Sequence, residues 1–122
     1  MSDIPDCKIC KLHASETNYL KKTNHWILRE AEKEKNCPNY LYLEPIGHYE
    51  SYPSLPRSAW SEFGEFIKFG TDWIYSQKVP LKVYTVSIAE AVPHLHFHIV
   101  PRYVPEPKGM EYLKLALEGK LT

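Results

Sequence analysis

The sequence lacks several features that would assign it to a broad functional class. Its formal net charge is zero, with fifteen basic and fifteen acidic residues among 122, so no overall field attracts a nucleic-acid backbone or an anionic membrane. No apolar run approaches the roughly 18 residues of a membrane span, and Met1–Asp6 lacks a basic segment followed by an apolar one. We therefore expect a soluble, unexported, cytoplasmic protein that binds neither nucleic acid nor membrane, in which a local site holds any phosphate ligand.

Cysteine is also scarce, and its placement is informative. Three cysteines cannot all pair with one another, and two of them form Cys7-Lys8-Ile9-Cys10. A two-residue gap lets both sulfurs converge on one tetrahedral ion, whereas thioredoxin-like redox chemistry needs the pair between a strand and a helix. Only a few unpatterned residues precede Cys7, so we favour a metal site. Cys37 precedes Pro38 in a predicted turn and is expected to be an ordinary thiol.

The pattern of apolar residues predicts one domain over 1–122 that contains both strands and helices. With 43% hydrophobic residues the chain is long enough to bury one core. Apolar alternation predicts strands at 18–23, 25–31, 40–44, 81–89 and 92–102. A helix is expected to begin near Leu55-Pro56 and to run to about Gln77, since Trp60, Phe63 and Ile67 recur at helical spacing. A terminal helix is predicted at 110–118.

Half of the six histidines stand in one short row, Val92-Pro93-His94-Leu95-His96-Phe97-His98-Ile99-Val100. Because a strand repeats every two residues, the three histidines are expected on one face and the apolar residues between them in a core. The outer two would lie about 13 Å apart, which disfavours one metal bound by all three. A nucleophilic middle imidazole with helpers on both sides is the remaining use of such a row.

The stretch His94 to Val100 resembles the His-φ-His-φ-His-φ-φ signature of the histidine triad (HIT) family of nucleotide hydrolases and transferases, where φ is an apolar residue. Cys7 to Cys10 and the segment Pro45-Ile46-Gly47-His48-Tyr49-Glu50-Ser51 are similar to two further family segments. The resemblance covers roughly residues 7 to 102. It implies an α+β fold, a mainly antiparallel sheet of about five strands with one long helix packed on it, and a homodimer.

The resemblance also implies roles for individual residues. His96 would be the nucleophile, attacking the α-phosphorus of a nucleotide to form a covalent nucleotidyl-histidine, and His98 would contact the phosphoryl oxygens. A structural zinc ion would be bound by Cys7, Cys10, His48 and His94. His13 follows Cys10 by three residues and is an alternative zinc ligand, and the absence of any metal also stays open.

The sequence departs from the family before the triad. Members usually carry Gly-Gln-Ser/Thr there, whereas this chain has Ala89-Glu90-Ala91. An ionised Glu90 would repel substrate phosphates, so it turns away, acts as a protonated general acid, or signals altered chemistry. Ser87 is the candidate for the missing polar contact. The departure leaves open a second function, a zinc-stabilised nucleotide-binding or interaction module with weak or no catalysis, and a metal-dependent hydrolase is a third.

Overall fold

The structure, a computed structural model, describes residues 7–15 and 18–122. The segment Met1–Asp6, on which the expectation of an unexported protein rests, lies outside these residues. The elements are helix α1 (Lys8–Ser15), strands β1 (Lys21–Lys22) and β2 (Trp26–Glu30), a 3₁₀ turn (Lys33–Lys35), strand β3 (Leu41–Pro45), helices α2 (Arg57–Trp60) and α3 (Phe63–Gln77), strands β4 (Lys82–Val86) and β5 (Phe97–Arg102), and helix α4 (Gly109–Leu117).

The five strands form one sheet in the order β1-β2-β3-β5-β4, and every neighbouring pair is antiparallel. In the centre of the sheet Tyr42 of β3 lies opposite His98 of β5, and Leu43 lies opposite Phe97. The predicted α+β fold with a mainly antiparallel five-stranded sheet is confirmed.

Alternation along β3 and β5 divides the buried side chains between the two faces of the sheet. One face packs against α3, and its core contains Trp26, Leu28, Leu41, Leu43, Phe66, Ile74, Phe97 and Ile99. The opposite face packs against α4, and its core contains Tyr40, Tyr42, Val100, Tyr112, Leu113 and Ala116. His98 lies between Phe97 and Ile99 in β5, so it belongs to the α4 face.

Helix α3 approaches the sheet closely at Gly70. A Cβ atom there would lie 3.4 Å from the Cδ1 atoms of both Leu41 and Ile99, so a side chain larger than a methyl group would push the helix away from the strands. The absence of a side chain at this position lets α3 cover the apolar face of the sheet.

The prediction of one continuous helix from about residue 57 to residue 77 is wrong at one place. Ser61 and Glu62 form a turn between α2 and α3: both keep right-handed helical backbone angles, but the N–H of Glu62 donates to the carbonyl of Ala59, three residues back, instead of four. The Glu62 carboxylate accepts hydrogen bonds from the hydroxyl of Thr23, at 2.6 Å, and from Nδ1 of His25, at 2.8 Å. These bonds connect Glu62 to the turn between β1 and β2. The helical spacing of apolar residues does not predict such a distant contact.

Several further elements differ from expectation. Strands β1 and β4 are each four residues shorter than the predicted 18–23 and 81–89, and the sequence analysis did not predict helix α1. Strand β5 begins at Phe97 rather than at residue 92, so His94 and His96 precede it in irregular backbone. The terminal helix α4 begins one residue earlier and ends one residue earlier than predicted. No helix within the described residues is long and apolar enough to cross a membrane.

Candidate active site

The three histidines of the row differ in burial. His94 is fully buried, whereas His96 and His98 are half-buried and their ring centroids lie 5.0 Å apart. A tight turn, in which the backbone N–H of His94 donates to the carbonyl of Val92 at 2.8 Å, carries His94 into the interior. The structure therefore places two imidazoles beside each other near the surface and the first one behind them.

The hydrogen bonds of His94 fix its tautomer. Its Nε2–H donates to the carbonyl of Pro45 at 2.9 Å, because a carbonyl oxygen only accepts. Burial lowers the pKa of His94, so the ring is neutral and Nδ1 carries a lone pair. That lone pair faces the sulfurs of Cys7 and Cys10, at 3.4 and 3.5 Å.

Four buried side chains form a cluster that can bind a metal ion. One ligand atom from each of Cys7, Cys10, His48 and His94 lies within 4.8 Å of the other three. Nδ1 of His48 lies 3.5 Å from the sulfur of Cys10, and its Nε2–H donates to the Glu50 carboxylate at 2.7 Å. Both histidines thus donate their outer N–H group to an acceptor, as metal-bound histidines commonly do.

The dimensions of this cluster fit tetrahedral zinc. Bonds of about 2.3 Å to sulfur and about 2.0 Å to nitrogen at the tetrahedral angle place sulfur and nitrogen about 3.5 Å apart. The three recorded sulfur–nitrogen distances are 3.4, 3.5 and 3.5 Å. The residues present therefore match a metal-binding set of two cysteines and two histidines.

His13, the alternative ligand, lies outside this cluster. Its Nε2–H donates to the Glu44 carboxylate at 2.9 Å. Glu44 also accepts two hydrogen bonds from the Arg29 guanidinium, at 2.8 and 2.9 Å. The structure brings His48, rather than His13, to the two sulfurs.

His96 is held by the backbone of His94. Its Nδ1–H donates to the His94 carbonyl at 2.6 Å, so in the neutral ring the lone pair is on Nε2. A neutral imidazole whose second nitrogen has no hydrogen-bond partner among the described residues is a competent nucleophile without a separate base.

A cavity of about 530 Å³ lies in front of these histidines. Its lining comes from α1, from the 3₁₀ turn region, from the α4 face of the sheet and from the loop before the triad. The lining residues are Lys8, Ile9, Lys11, Leu12, Arg29, Glu32, Tyr42, Glu44, Val92, His96 and His98. Ser87 is half-buried and Glu90 is exposed, and neither belongs to this lining.

His98 is surrounded by aromatic rings. The Tyr40 hydroxyl lies 2.7 Å from Nδ1 of His98, and the ring centroid of Tyr42 lies 5.5 Å from that of His98. Burial and then the nearby His96 lower the pKa of His98 to about 4. The His98 ring is therefore neutral near pH 7.

The floor of the cavity holds a buried ion pair. Burial by itself would raise the pKa of Glu44, but the hydrogen bonds from His13 and Arg29 outweigh it and lower the pKa to about 2. The guanidinium also lies over the ring of Tyr42, 4.6 Å from its centroid. Arg29 is thus fixed by a carboxylate and an aromatic ring at once.

Sequence reasoning missed Tyr40, Tyr42, Arg29 and Glu44 as parts of this site. One signal was present: Glu44 is a charged residue at the end of the apolar run 40–43, and a carboxylate is rarely buried without a partner. The role of Tyr40 had no signal in the sequence, since its contact spans 58 residues.

Solved structures with this arrangement of helices and strands include many HIT proteins. A HIT family member from Bacillus subtilis has a TM-score of 0.71 at 15% identity, over 96% of this chain and 98% of its own. The chain has the histidine triad fold. A HIT family hydrolase from Clostridium thermocellum has a TM-score of 0.63 at 14% identity, over 88% and 99%. A hypothetical histidine triad nucleotide-binding protein from Sulfolobus tokodaii has a TM-score of 0.65 at 16% identity, over 93% and 89%.

The sequence matches no family model and no curated protein sequence. The fold confirms the resemblance to the histidine triad proteins, and sequence identities of 14 to 16% show that the chain is divergent. The segment Ala89-Glu90-Ala91 before the triad is one such divergent feature.

Proposed function

We propose that the protein is a nucleotide hydrolase or nucleotidyl transferase. It acts at the α-phosphate of a nucleoside phosphate ester or phosphoramidate through a covalent nucleotidyl-histidine on His96. One observation carries the proposal: Nδ1–H of His96 donates to the His94 carbonyl at 2.6 Å, while the same ring lines a cavity of about 530 Å³. The lone pair on Nε2 is then available to an electrophile in that cavity.

In the first step, Nε2 of His96 forms a bond to the α-phosphorus. The P–O or P–N bond to the leaving group breaks, and the leaving group departs with the electron pair and takes a proton from solvent. The imidazole becomes an imidazolium because it keeps its hydrogen on Nδ1. The His94 carbonyl, which accepts that hydrogen, stabilises the positive charge.

In the second step, the oxygen of water or of another acceptor forms a bond to phosphorus. The Nε2–P bond breaks, its electron pair returns to the ring, and the proton of the acceptor goes to solvent. His98 lies beside His96, with ring centroids 5.0 Å apart, and contacts the phosphoryl oxygens. Stabilising the charge on those oxygens is typically worth a few kcal/mol.

The metal we propose for the cluster is zinc, held by Cys7, Cys10, His48 and His94. Four protein ligands close a tetrahedral shell and leave no position for substrate, so the ion would supply stability and not chemistry. His94 would connect the ion to the nucleophile, since its Nδ1 faces the sulfurs and its carbonyl accepts from His96. If the protein were instead a metal-dependent hydrolase, the third candidate function, a chelator would stop the chemical step at once.

Ser87 remains a proposed substrate contact, and for Glu90 we favour one of the three alternatives, a carboxylate turned away from the substrate. Glu90 is exposed and lies two residues before Val92, which lines the cavity. This position supports a Glu90 carboxylate that turns towards solvent, where it does not repel the phosphates of the substrate.

We also propose that the protein is a cytoplasmic homodimer. The β4 edge of the sheet is unpaired among the described residues, and Val79, Leu81 and Ile88 beside it are exposed.

Removing the nucleophile tests the proposal directly. Replacing His96 with Ala or Gly should lower kcat by at least about a thousandfold, since no covalent adduct can form, and leave the thermal unfolding midpoint nearly unchanged. His25→Ala is the control. His25 pairs with Glu62 at 2.8 Å and does not line the cavity, so this variant should keep its turnover. Retained turnover in the His96 variants would refute the assignment.

The second candidate, a nucleotide-binding or interaction module, is favoured by the absence of a hydroxyl from Ala89-Glu90-Ala91. Incubation with a labelled adenylate ester and an alkaline quench should leave acid-labile nucleotide on the wild-type protein and none on His96→Ala. If nucleotide binds but no adduct is found with any nucleotide ester, the binding module is correct.

A further inference from the structure

Tyr40 contacts His98 of the triad and has no role in the proposed reaction steps. Its hydroxyl lies 2.7 Å from Nδ1 of His98, although 58 residues separate the two in sequence. Tyr40 is 1% exposed, and its ring stands edge-on to His98 with centroids 5.9 Å apart. The hydroxyl is therefore held against one nitrogen of the His98 ring.

Acid–base chemistry decides which group donates in this hydrogen bond. Burial first, and then the neighbouring Tyr42 and Glu32, raise the pKa of Tyr40, so its hydroxyl keeps the hydrogen. Burial lowers the pKa of His98 to about 4, so its ring is neutral and has one donor and one acceptor nitrogen. A phenol O–H is a stronger acid than an imidazole N–H, and an imidazole lone pair is a stronger base than a phenol oxygen. The hydroxyl therefore donates to Nδ1.

This direction places the single N–H hydrogen of the neutral His98 ring on Nε2. His96 has the opposite form, because its Nδ1–H donates to the His94 carbonyl and its Nε2 has the lone pair. Two adjacent imidazoles, with ring centroids 5.0 Å apart, thus present a nucleophilic nitrogen and an N–H donor.

We propose that Tyr40 is a positioning residue that holds His98 in the Nε2–H tautomer, so that His98 donates this hydrogen to a phosphoryl oxygen of the substrate. The use of that hydrogen rests on the proposed function, whereas the tautomer itself does not. A neutral donor stabilises negative charge on the phosphoryl group without carrying a positive charge beside His96, where an imidazolium forms in the first step.

The neighbouring Tyr42 does not share this role. Its hydroxyl donates to the Glu32 carboxylate at 3.0 Å, and its contact with His98 is through the rings, with centroids 5.5 Å apart. Removal of the Tyr42 hydroxyl therefore removes neither of the two atoms that form the hydrogen bond, the Tyr40 hydroxyl oxygen and Nδ1 of His98.

The tautomer is read from the ring-nitrogen NMR spectrum of ¹⁵N-labelled protein in the absence of substrate. Wild type should show His98 with the hydrogen on Nε2 and a hydrogen-bonded, unprotonated Nδ1. Tyr40→Phe should move the Nδ1 resonance of His98 towards that of a free imidazole nitrogen, whereas Tyr42→Phe should leave it in place. A wild-type His98 with its hydrogen on Nδ1, or a spectrum that Tyr40→Phe does not change, would overturn the proposal.

The activity measurement uses Tyr112→Phe as its control. Tyr112 is also buried in the core of the α4 face, and its hydroxyl donates to the Pro101 carbonyl at 2.6 Å, outside the cavity lining. We expect Tyr40→Phe to lower kcat about three- to tenfold with little change in KM, and Tyr112→Phe to leave kcat within about twofold.

Equal losses in both variants would show that the loss comes from packing and would overturn the positioning role. If the spectra agree with the expected tautomer but wild type turns over no nucleotide ester, the proposed function fails. The donation to phosphate then fails with it, while the hydrogen bond from Tyr40 stands.

Discussion

Glu44 combines burial with charge at the floor of the cavity. Its side chain is 2% exposed and is surrounded by one histidine and one guanidinium. In the folded protein its pKa is lowered to about 2 from an ordinary value of 4.5. Between these two pH values the unfolded chain binds more protons than the folded one, so stability rises with pH across this window. The contribution is complete above about pH 4.5 and is lost as the pH falls towards 2.

Glu44→Gln should lower the free energy of unfolding by about 3 kcal/mol at pH 7. This size follows from a pKa difference of about 2.5 units at 1.36 kcal/mol per unit, and from the uncompensated Arg29 charge that the substitution leaves. Urea unfolding of both proteins at pH 7, 4 and 3 measures it, and the difference between them should shrink as the pH falls. Glu65→Gln, on the exposed surface of α3, should change stability by less than about 0.5 kcal/mol.

A difference between wild type and Glu44→Gln that stays constant from pH 7 to pH 3 would contradict this account. The comparison of two proteins at each pH removes the effect of protonating the cysteine and histidine ligands, because both proteins carry the same four.

Helix α1 depends on contacts at its first turn. It has eight residues, fewer than the roughly 12 that an isolated helix needs to be even marginally stable in water. Cys7 and Cys10 are buried at its start with Ile9, and the backbone N–H of Cys10 donates to the sulfur of Cys7 at 3.4 Å. A bound ion would thus tie this short helix to the turn before β5.

Removing the metal should therefore increase amide hydrogen exchange in α1 while the central strands β3 and β5 keep their protection. Hydrogen exchange with and without a strong chelator measures this, and metal analysis of the untreated protein should give about one zinc per chain. Cys10→Ser should behave as the chelated protein does. Cys37→Ser should retain its metal, because the Cys37 sulfur contacts the Tyr112 hydroxyl and the Pro101 carbonyl instead.

Two outcomes would speak against this role of α1. Protection in α1 that a chelator leaves unchanged would show that its packing suffices without an ion. A chelator that abolishes turnover before it changes exchange would support catalysis by the metal.

Which elements could be predicted depended on whether their signal is local. The alternation of Tyr40 to Leu43 and the helical spacing of Phe63, Ile67 and Ile74 identified β3 and α3. The turn between α2 and α3 places Glu62 where it accepts hydrogen bonds from Thr23 and His25, about 40 residues away. Strand β5 starts late because the turn at His94 takes the chain to the cysteine cluster, and alternation alone cannot locate such a turn.

At the scale of the whole molecule, the residues of the candidate site also fall into those that the sequence predicted and those that it did not. The spacing of the triad predicted three histidines on one face; His96 and His98 do lie side by side, whereas the turn before β5 buries His94. The four-residue cluster came from the family resemblance. Tyr42 and Arg29 reach the site through pairing of the strands, since Tyr42 lies opposite His98 in one ladder and opposite Arg29 in another. Cross-strand contacts of this kind follow from register, which a single sequence does not state.

The proposed homodimer belongs to this scale too. Light scattering after size-exclusion chromatography should give twice the 14.3 kDa mass of one chain. Leu81→Glu places a charge on an exposed apolar residue, 59% accessible, next to the β4 edge, and should shift the mass towards one chain because burying an unpaired charge is costly. Met110→Glu, an exposed apolar residue on α4, is the matched control. A monomeric wild type at micromolar concentration would refute the dimer.

Three copies of one amino acid stand in five consecutive positions, yet each is held in its form by a different partner: the Pro45 carbonyl, the His94 carbonyl and the Tyr40 hydroxyl. An imidazole can therefore be given a new property by changing the atom opposite it. Of these three partners only the Tyr40 hydroxyl belongs to a side chain, so a substitution just before the third strand can change the chemistry of His98 while the signature itself stays untouched.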